Sequence, residues 1–103
     1  MYRVILVTVA NKKEARRIAN SLINHKFAAC VNIIGGVESF FWWEGKIDSA
    51  KETLLIIKSR KEKVPQVIRL VKSLHSYEIP EIISLPITTG FKPYLKWIDE
   101  SLR

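Results

Sequence analysis

The chain has 103 residues, of which 48% are hydrophobic and 26% charged, and a formal net charge of +7. That length fits one domain over residues 1–103 and leaves no room in this chain for a second. No apolar run approaches the roughly 20 residues of a bilayer-spanning helix, and a lone cysteine, Cys30, excludes an intrachain disulfide. The opening residues lack the basic start, long apolar segment and small-residue site of a signal peptide. A cytoplasmic location with no membrane partner is therefore expected, and the single thiol fits a reducing compartment.

Residues Arg3 to Val9 form a nearly continuous β-branched and apolar run. Such a run suits a central strand covered on both faces. Asn11 stands three residues before Glu14, a capping-box-like helix start. Ala15, Ile18, Ala19, Leu22 and Ile23 then give one apolar stripe at helical spacing, and this helix should end near His25 or Lys26. A second strand is expected from about Ala28 to Trp43, interrupted by a bulge or bend at Gly35-Gly36. Glu44-Gly45-Lys46 reads as its turn. A third strand is strongest over Thr53 to Lys58, with Asp48 to Glu52 as a ragged extension of the hairpin.

Four consecutive aromatics, Phe40, Phe41, Trp42 and Trp43, precede that turn. Alternate side chains on a strand point to opposite faces, so two rings go each way. One face should pack on this domain. The other needs a second apolar surface, most simply another copy of the chain.

A second helix is expected from about Lys61 to His75, starting a residue or two late so that Pro65 falls in its first turn. The segment from His75 to Glu81 is irregular. Ile82 to Ile87 is a short fourth strand, placed at an edge by Pro86. Phe91, Leu95, Ile98 and Leu102 define a C-terminal helix. The order β-α-β-β-α-β plus a final helix is the ferredoxin-like α+β plan, a four-stranded antiparallel sheet with two helices on one face and the first and third strands central.

That plan decides no function by itself. An RNA-recognition module needs exposed rings on its central strands, and RVILVTV and TLLIIK carry none, which argues against nucleic acid as a partner. The basic residues Lys12, Lys13, Arg16, Arg17, Arg69 and Lys72 fall at polar helix positions; a solvated surface is the plainest reading, with a functional anion or nucleic-acid surface as the alternative. No glycine-rich phosphate loop, Ser-His-Asp, CxxC or HExxH pattern occurs, and no enzyme is expected. Cys30 is either a small buried hydrophobe or a soft-metal ligand. His75 either closes its helix or, neutral, offers a ring nitrogen to a metal. Glu78 and Glu81 flank Pro80 as a solvated pair, or Glu81 joins His75 in a mixed nitrogen–oxygen site. Lys58 is a sheet-surface charge or an interface partner of Glu81 or Glu44.

Ala28-Ala29-Cys30-Val31-Asn32, Trp42-Trp43-Glu44-Gly45-Lys46-Ile47, the segment His75-Ser76-Tyr77-Glu78-Ile79-Pro80-Glu81, and Tyr94-Leu95-Lys96-Trp97 together resemble the divalent-cation tolerance, or CutA, family, in order and over essentially the whole chain. The resemblance implies a homotrimer whose long bent hairpins pair between subunits, similar to the trimeric PII signalling proteins, with Phe40, Phe41, Trp42 and Trp43 at the interface. It also implies binding of copper or other divalent metal ions and a role in metal tolerance, with no catalysis. The expected metal ligands are His75 first, then Cys30, with Glu81 as a third donor. Where some bacterial members carry a first-strand cysteine and a preceding histidine, this chain has Val7 and Leu74, and Ser76 replaces a proline. The alternative is a PII-like sensor that takes a small anion or a partner protein in inter-subunit clefts lined by Trp43, Glu44, Lys58, Tyr77 and Glu81.

Overall fold

A computed structural model describes all residues, 1–103. Its elements are β1 (Tyr2–Val9), α1 (Lys12–Asn24), β2 (Cys30–Trp43), β3 (Lys46–Arg60), a 3-10 turn (Lys61–Lys63), α2 (Val64–Leu74), β4 (Ile82–Ile87) and α3 (Lys92–Ser101). The sheet order is β2-β3-β1-β4, all antiparallel, so the first and third strands are central as the apolar runs require. No helix is long and apolar enough to cross a membrane.

Strand register sorts the apolar residues into two faces, because directly paired residues share a face. Val7 pairs with Leu55 and Ile82, and Ile5 with Ile57. Leu55 and Ile57 in turn oppose Ile33 and Val31. This face meets Ala15, Ile18 and Leu22 of α1 and Val67 and Val71 of α2 in one buried core. The opposite face carries Leu6 with Ile83 and Ile56, and Leu54 with Ile34. There α3 lies at one end only, held by an Asp99 carboxylate that accepts the Tyr2 hydroxyl at 2.6 Å and pairs with Arg60 at 3.0 Å. Ile34, Ile83 and Leu85 stay 45–48% exposed. The central strands are thus apolar on both sides, with α3 covering only one end of the second.

The helix starts follow local chemistry. Asn11 caps α1 by accepting the Glu14 N–H at 2.9 Å, one of the four N–H groups a helix start leaves unpaired. The return half of the expected capping box is absent. Glu14 is buried and turns its carboxylate to the Ser76 N–H instead, at 3.2 Å. The second helix begins later than expected. Lys61–Lys63 form a 3-10 turn, and Pro65 then sits in the first turn of α2, where it breaks no hydrogen bond.

β2 and β3 pair from Cys30↔Lys58 to Trp43↔Lys46, with a shift between Ile34 and Val37 at the bulge that Gly35-Gly36 predicts. Gly36 takes φ of 75°. Asp48 to Glu52, read as ragged, is regular strand. The turn has positive φ at both Glu44 (49°) and Gly45 (77°), the two-residue turn whose twist matches a hairpin. One expectation fails. β1 ends opposite Thr53, so the outer part of the hairpin is a two-stranded ribbon with no third strand. Neither of its faces packs on the domain core. Phe40 and Trp42 are 74% and 72% exposed, and Phe41 and Trp43 on the other face are 37% and 41% exposed.

Leu55 is fully buried on the central strand β3. Leu55→Ala should cost about 2–5 kcal/mol by leaving a cavity. Denaturant unfolding of the variant measures it, and a loss within error of zero would place the core elsewhere.

Candidate acidic cleft beside the ribbon

The ribbon overhangs the irregular segment between α2 and β4, and a cleft of about 860 Å³ opens between them. It is lined by the aromatic run, by Tyr77 and Ile79, and by Glu38, Asp48, Glu52, Glu78 and Glu81. No Lys or Arg lines it. Five carboxylates without a cation favour a positive guest, and oxygen donors suit hard divalent ions. A smaller pocket at the ribbon tip holds Trp43, Glu44, Lys46, Ile47 and Asp48.

The floor of the cleft is fixed by a buried polar network. The His75 side chain is fully buried. Its Nε2 lies 2.8 Å from the Thr8 carbonyl, which can only accept, so Nε2 carries the proton. Its Nδ1 accepts the Tyr77 N–H at 3.0 Å. Glu14, whose Oε2 also stands 3.5 Å from Nδ1, holds the Ser76 N–H. The segment after α2 is thereby pinned to the end of β1 and the start of α1. Tyr77 then points its hydroxyl at Glu52, donating at 2.7 Å. Burial, and after it the hydrogen bond to Glu52, push the Tyr77 phenol up to about 12.

Cys30 sits elsewhere. It pairs with Lys58 at the far end of the hairpin, on the sheet face that α3 partly covers. The Lys58 ammonium donates to Asn32 and lies 4.0 Å from the Cys30 sulfur. Tyr94 of α3 adjoins the same thiol, and burial, then its contact with Cys30, raises its phenol.

The structure therefore separates the expected ligands. Glu81 lines the cleft, His75 lies buried behind it with both ring nitrogens engaged, and Cys30 faces an ammonium at the far end of the hairpin. No three His, Cys, Asp or Glu side chains gather to hold an ion within one chain. Within one protomer the three expected donors, His75, Cys30 and Glu81, do not meet; a metal on His75 must displace the Tyr77 N–H and one on Cys30 must approach beside Lys58. Of the expected cleft residues, Trp43, Tyr77 and Glu81 meet in the large cleft and Glu44 in the tip pocket, while Lys58 lines neither. The sequence reading missed Glu14 and Glu52, both buried carboxylates. A buried tyrosine hydroxyl needs an acceptor, and that need was the available signal for Glu52.

These features define a ferredoxin-like α+β protomer with a projecting ribbon beside an acidic cleft. The chain belongs to the family described as CutA1 divalent ion tolerance protein, whose sequence pattern matches residues 3–101. It is 48% identical over 102 residues to the divalent-cation tolerance protein CutA of Archaeoglobus fulgidus, covering 99% of each chain. To the CutA of Thermus thermophilus it is 41% identical over 101 residues, 98% of each. It is 48% identical to the chloroplastic CutA 1 of Oryza sativa and 46% to the chloroplastic CutA of Arabidopsis thaliana, and spans 56% and 55% of their lengths. The solved structure of the Archaeoglobus fulgidus protein, described as periplasmic, superposes with a TM-score of 0.97 over the full length of both chains. That of Thermus thermophilus superposes with 0.96 at 40% identity over 98% of each.

The three tyrosines, Tyr2, Tyr77 and Tyr94, all have raised phenols. A phenol raised in the folded state lends stability below its unfolded value near 10 and loses it as pH climbs through its folded value. The Tyr77–Glu52 bond should therefore be intact below about pH 10 and fail toward about 12. In an alkaline titration, Tyr77→Phe should remove the latest phenolate component and cost about 1–2 kcal/mol at neutral pH. An unchanged late component in that variant would contradict the assignment.

Proposed function

We propose that the chain works as a non-enzymatic homotrimer that takes up copper or other divalent cations weakly, in acidic clefts beside its ribbons, as part of a response to metal ions. The observation that carries this reading is the cleft lining, five carboxylates and no Lys or Arg, in a chain whose net charge is +7. Membership of a family named for divalent ion tolerance supports it. Glu81 is the donor of the expected set that is best placed, and a neighbouring subunit would supply what one chain lacks. Oxygen ligands favour harder ions, so copper enters chiefly if His75 gives up its Tyr77 bond. The same lining disfavours the small anion of a PII-like sensor.

Assembly is supported by surfaces that one chain cannot cover. A lone two-stranded ribbon is marginal in water, and this one exposes Phe40, Trp42 and Ile47 at 69–74%. The second sheet face adds Ile34, Ile83 and Leu85. Such apolar area marks an interaction site. Both edges of the sheet, β2 and β4, are also unpaired and open to strand addition.

Two measurements test these claims. Titration calorimetry with manganese and with copper should give weak binding that Glu81→Gln lowers. His75→Ala should alter only the copper isotherm, and wild-type isotherms flat for both ions would end the cation reading. Light scattering should give a trimer mass. In the trimer, Trp42→Ala should forfeit roughly 3–5 kcal/mol per buried ring and lower that mass while the protomer stays folded. An unaltered mass for the double change Phe40→Ala with Trp42→Ala would reject the ribbon as the interface.

A further inference from the structure

The positive charge of this chain is not spread over it. Residues 12–26 and 61–74, which make up α1, α2 and the turns next to them, hold nine Lys and Arg against two carboxylates, Glu14 and Glu62. That difference of +7 is the whole formal charge of the chain, and the other eight Lys and Arg are matched by eight carboxylates. Neither carboxylate of the helix layer neutralises it. Glu14 is buried and holds the Ser76 N–H, and Glu62 binds Arg60 and the N-terminus. None of the nine cations pairs with an Asp or Glu side chain. Arg17 is held on the Leu74 carbonyl, which positions its charge without cancelling it, and Lys26 meets the terminal oxygen of Arg103.

From this partition we propose that the outer face of the α1–α2 layer docks on the phosphate backbone of duplex nucleic acid without reading its sequence. Single strands are bound by stacking on exposed rings, and residues 12–26 and 61–74 contain no Phe, Tyr or Trp. A membrane surface asks for inserting apolar residues, and of the large apolar residues there only Ile23 and Ile68 are more than a third exposed, at 42% and 41%. Duplex phosphates ask for cations alone. α1 and α2 pack against each other, which sets their axes about 8–10 Å apart. The cleft and the ribbon lie on other parts of the molecule, so this surface stands or fails independently of cation uptake and assembly.

The test is fluorescence anisotropy with a random-sequence duplex of about 20 base pairs, at low and at physiological salt. Wild type should bind weakly with a steep salt dependence. The triple variant R16Q/R69Q/K72Q should bind at least tenfold less tightly, with a log–log salt slope lower by about 3. The charge-matched control K51Q/K92Q/K96Q should bind like wild type, and circular dichroism checks that both variants fold. Equal loss in the two variants would make net charge alone responsible and overturn the proposal. So would absence of duplex binding by wild type, or tighter binding to phosphatidylserine vesicles than to the duplex.

Discussion

β3 has fifteen residues and its neighbour β1 only eight. That mismatch governs much of the molecule. Along its second half β3 is paired on both sides and anchors the core through Leu55 and Ile57. Along its first half it has β2 alone. Backbone hydrogen bonding there is only half complete at the ribbon's margins, and the rings mounted on the ribbon find no floor in their own domain. The acidic cleft lies where the ribbon runs on past the end of β1.

The cleft depends on the ribbon for one wall and on the His75 network for the other. His75 is better understood as a clasp than as an open ligand. Its two nitrogens join the end of β1 to the segment carrying Tyr77 and Glu81, and Glu14 closes the same junction from α1. A buried imidazole with both nitrogens paired is fully satisfied. Among the carboxylates lining the cleft, Glu52 holds the Tyr77 hydroxyl and Asp48 accepts the Ser49 N–H at 2.7 Å, while Glu38, Glu78 and Glu81 have no such partner. The difference in satisfaction separates residues that build the site from residues free to take a guest.

Much of this was legible in the sequence. The doubled β-α-β pattern, the Asn11 cap, the Gly35-Gly36 bulge and the edge position of Pro86 all follow from local rules, and each is present. The unbroken apolar runs correctly signalled a sheet with two apolar faces. Which polar side chains stand free was not legible, because periodicity fixes which face a residue takes but not what fills its remaining hydrogen-bonding positions. His75 looked available until the Thr8 carbonyl and Tyr77 N–H were placed around it. Cys30 looked like a ligand until Lys58 appeared directly across the strand pair. Both partners are distant in sequence, and only tertiary pairing brings them near.

Gly35 and Gly36 also fix a direction. Gly36 lies in the left-handed region that favours glycine, at φ of 75°, while the Lys12 side chain that a β-carbon at Gly35 would meet is flexible and can move aside. The bend made there sets the angle at which the ribbon departs from the body. In an assembly joined head to tail, one such angle is repeated at every contact, and only a narrow range returns the last subunit to the first. A few degrees gained or lost at these two residues would separate a closed ring from an open, growing filament. The bulge is in that sense the vertex that decides the polygon.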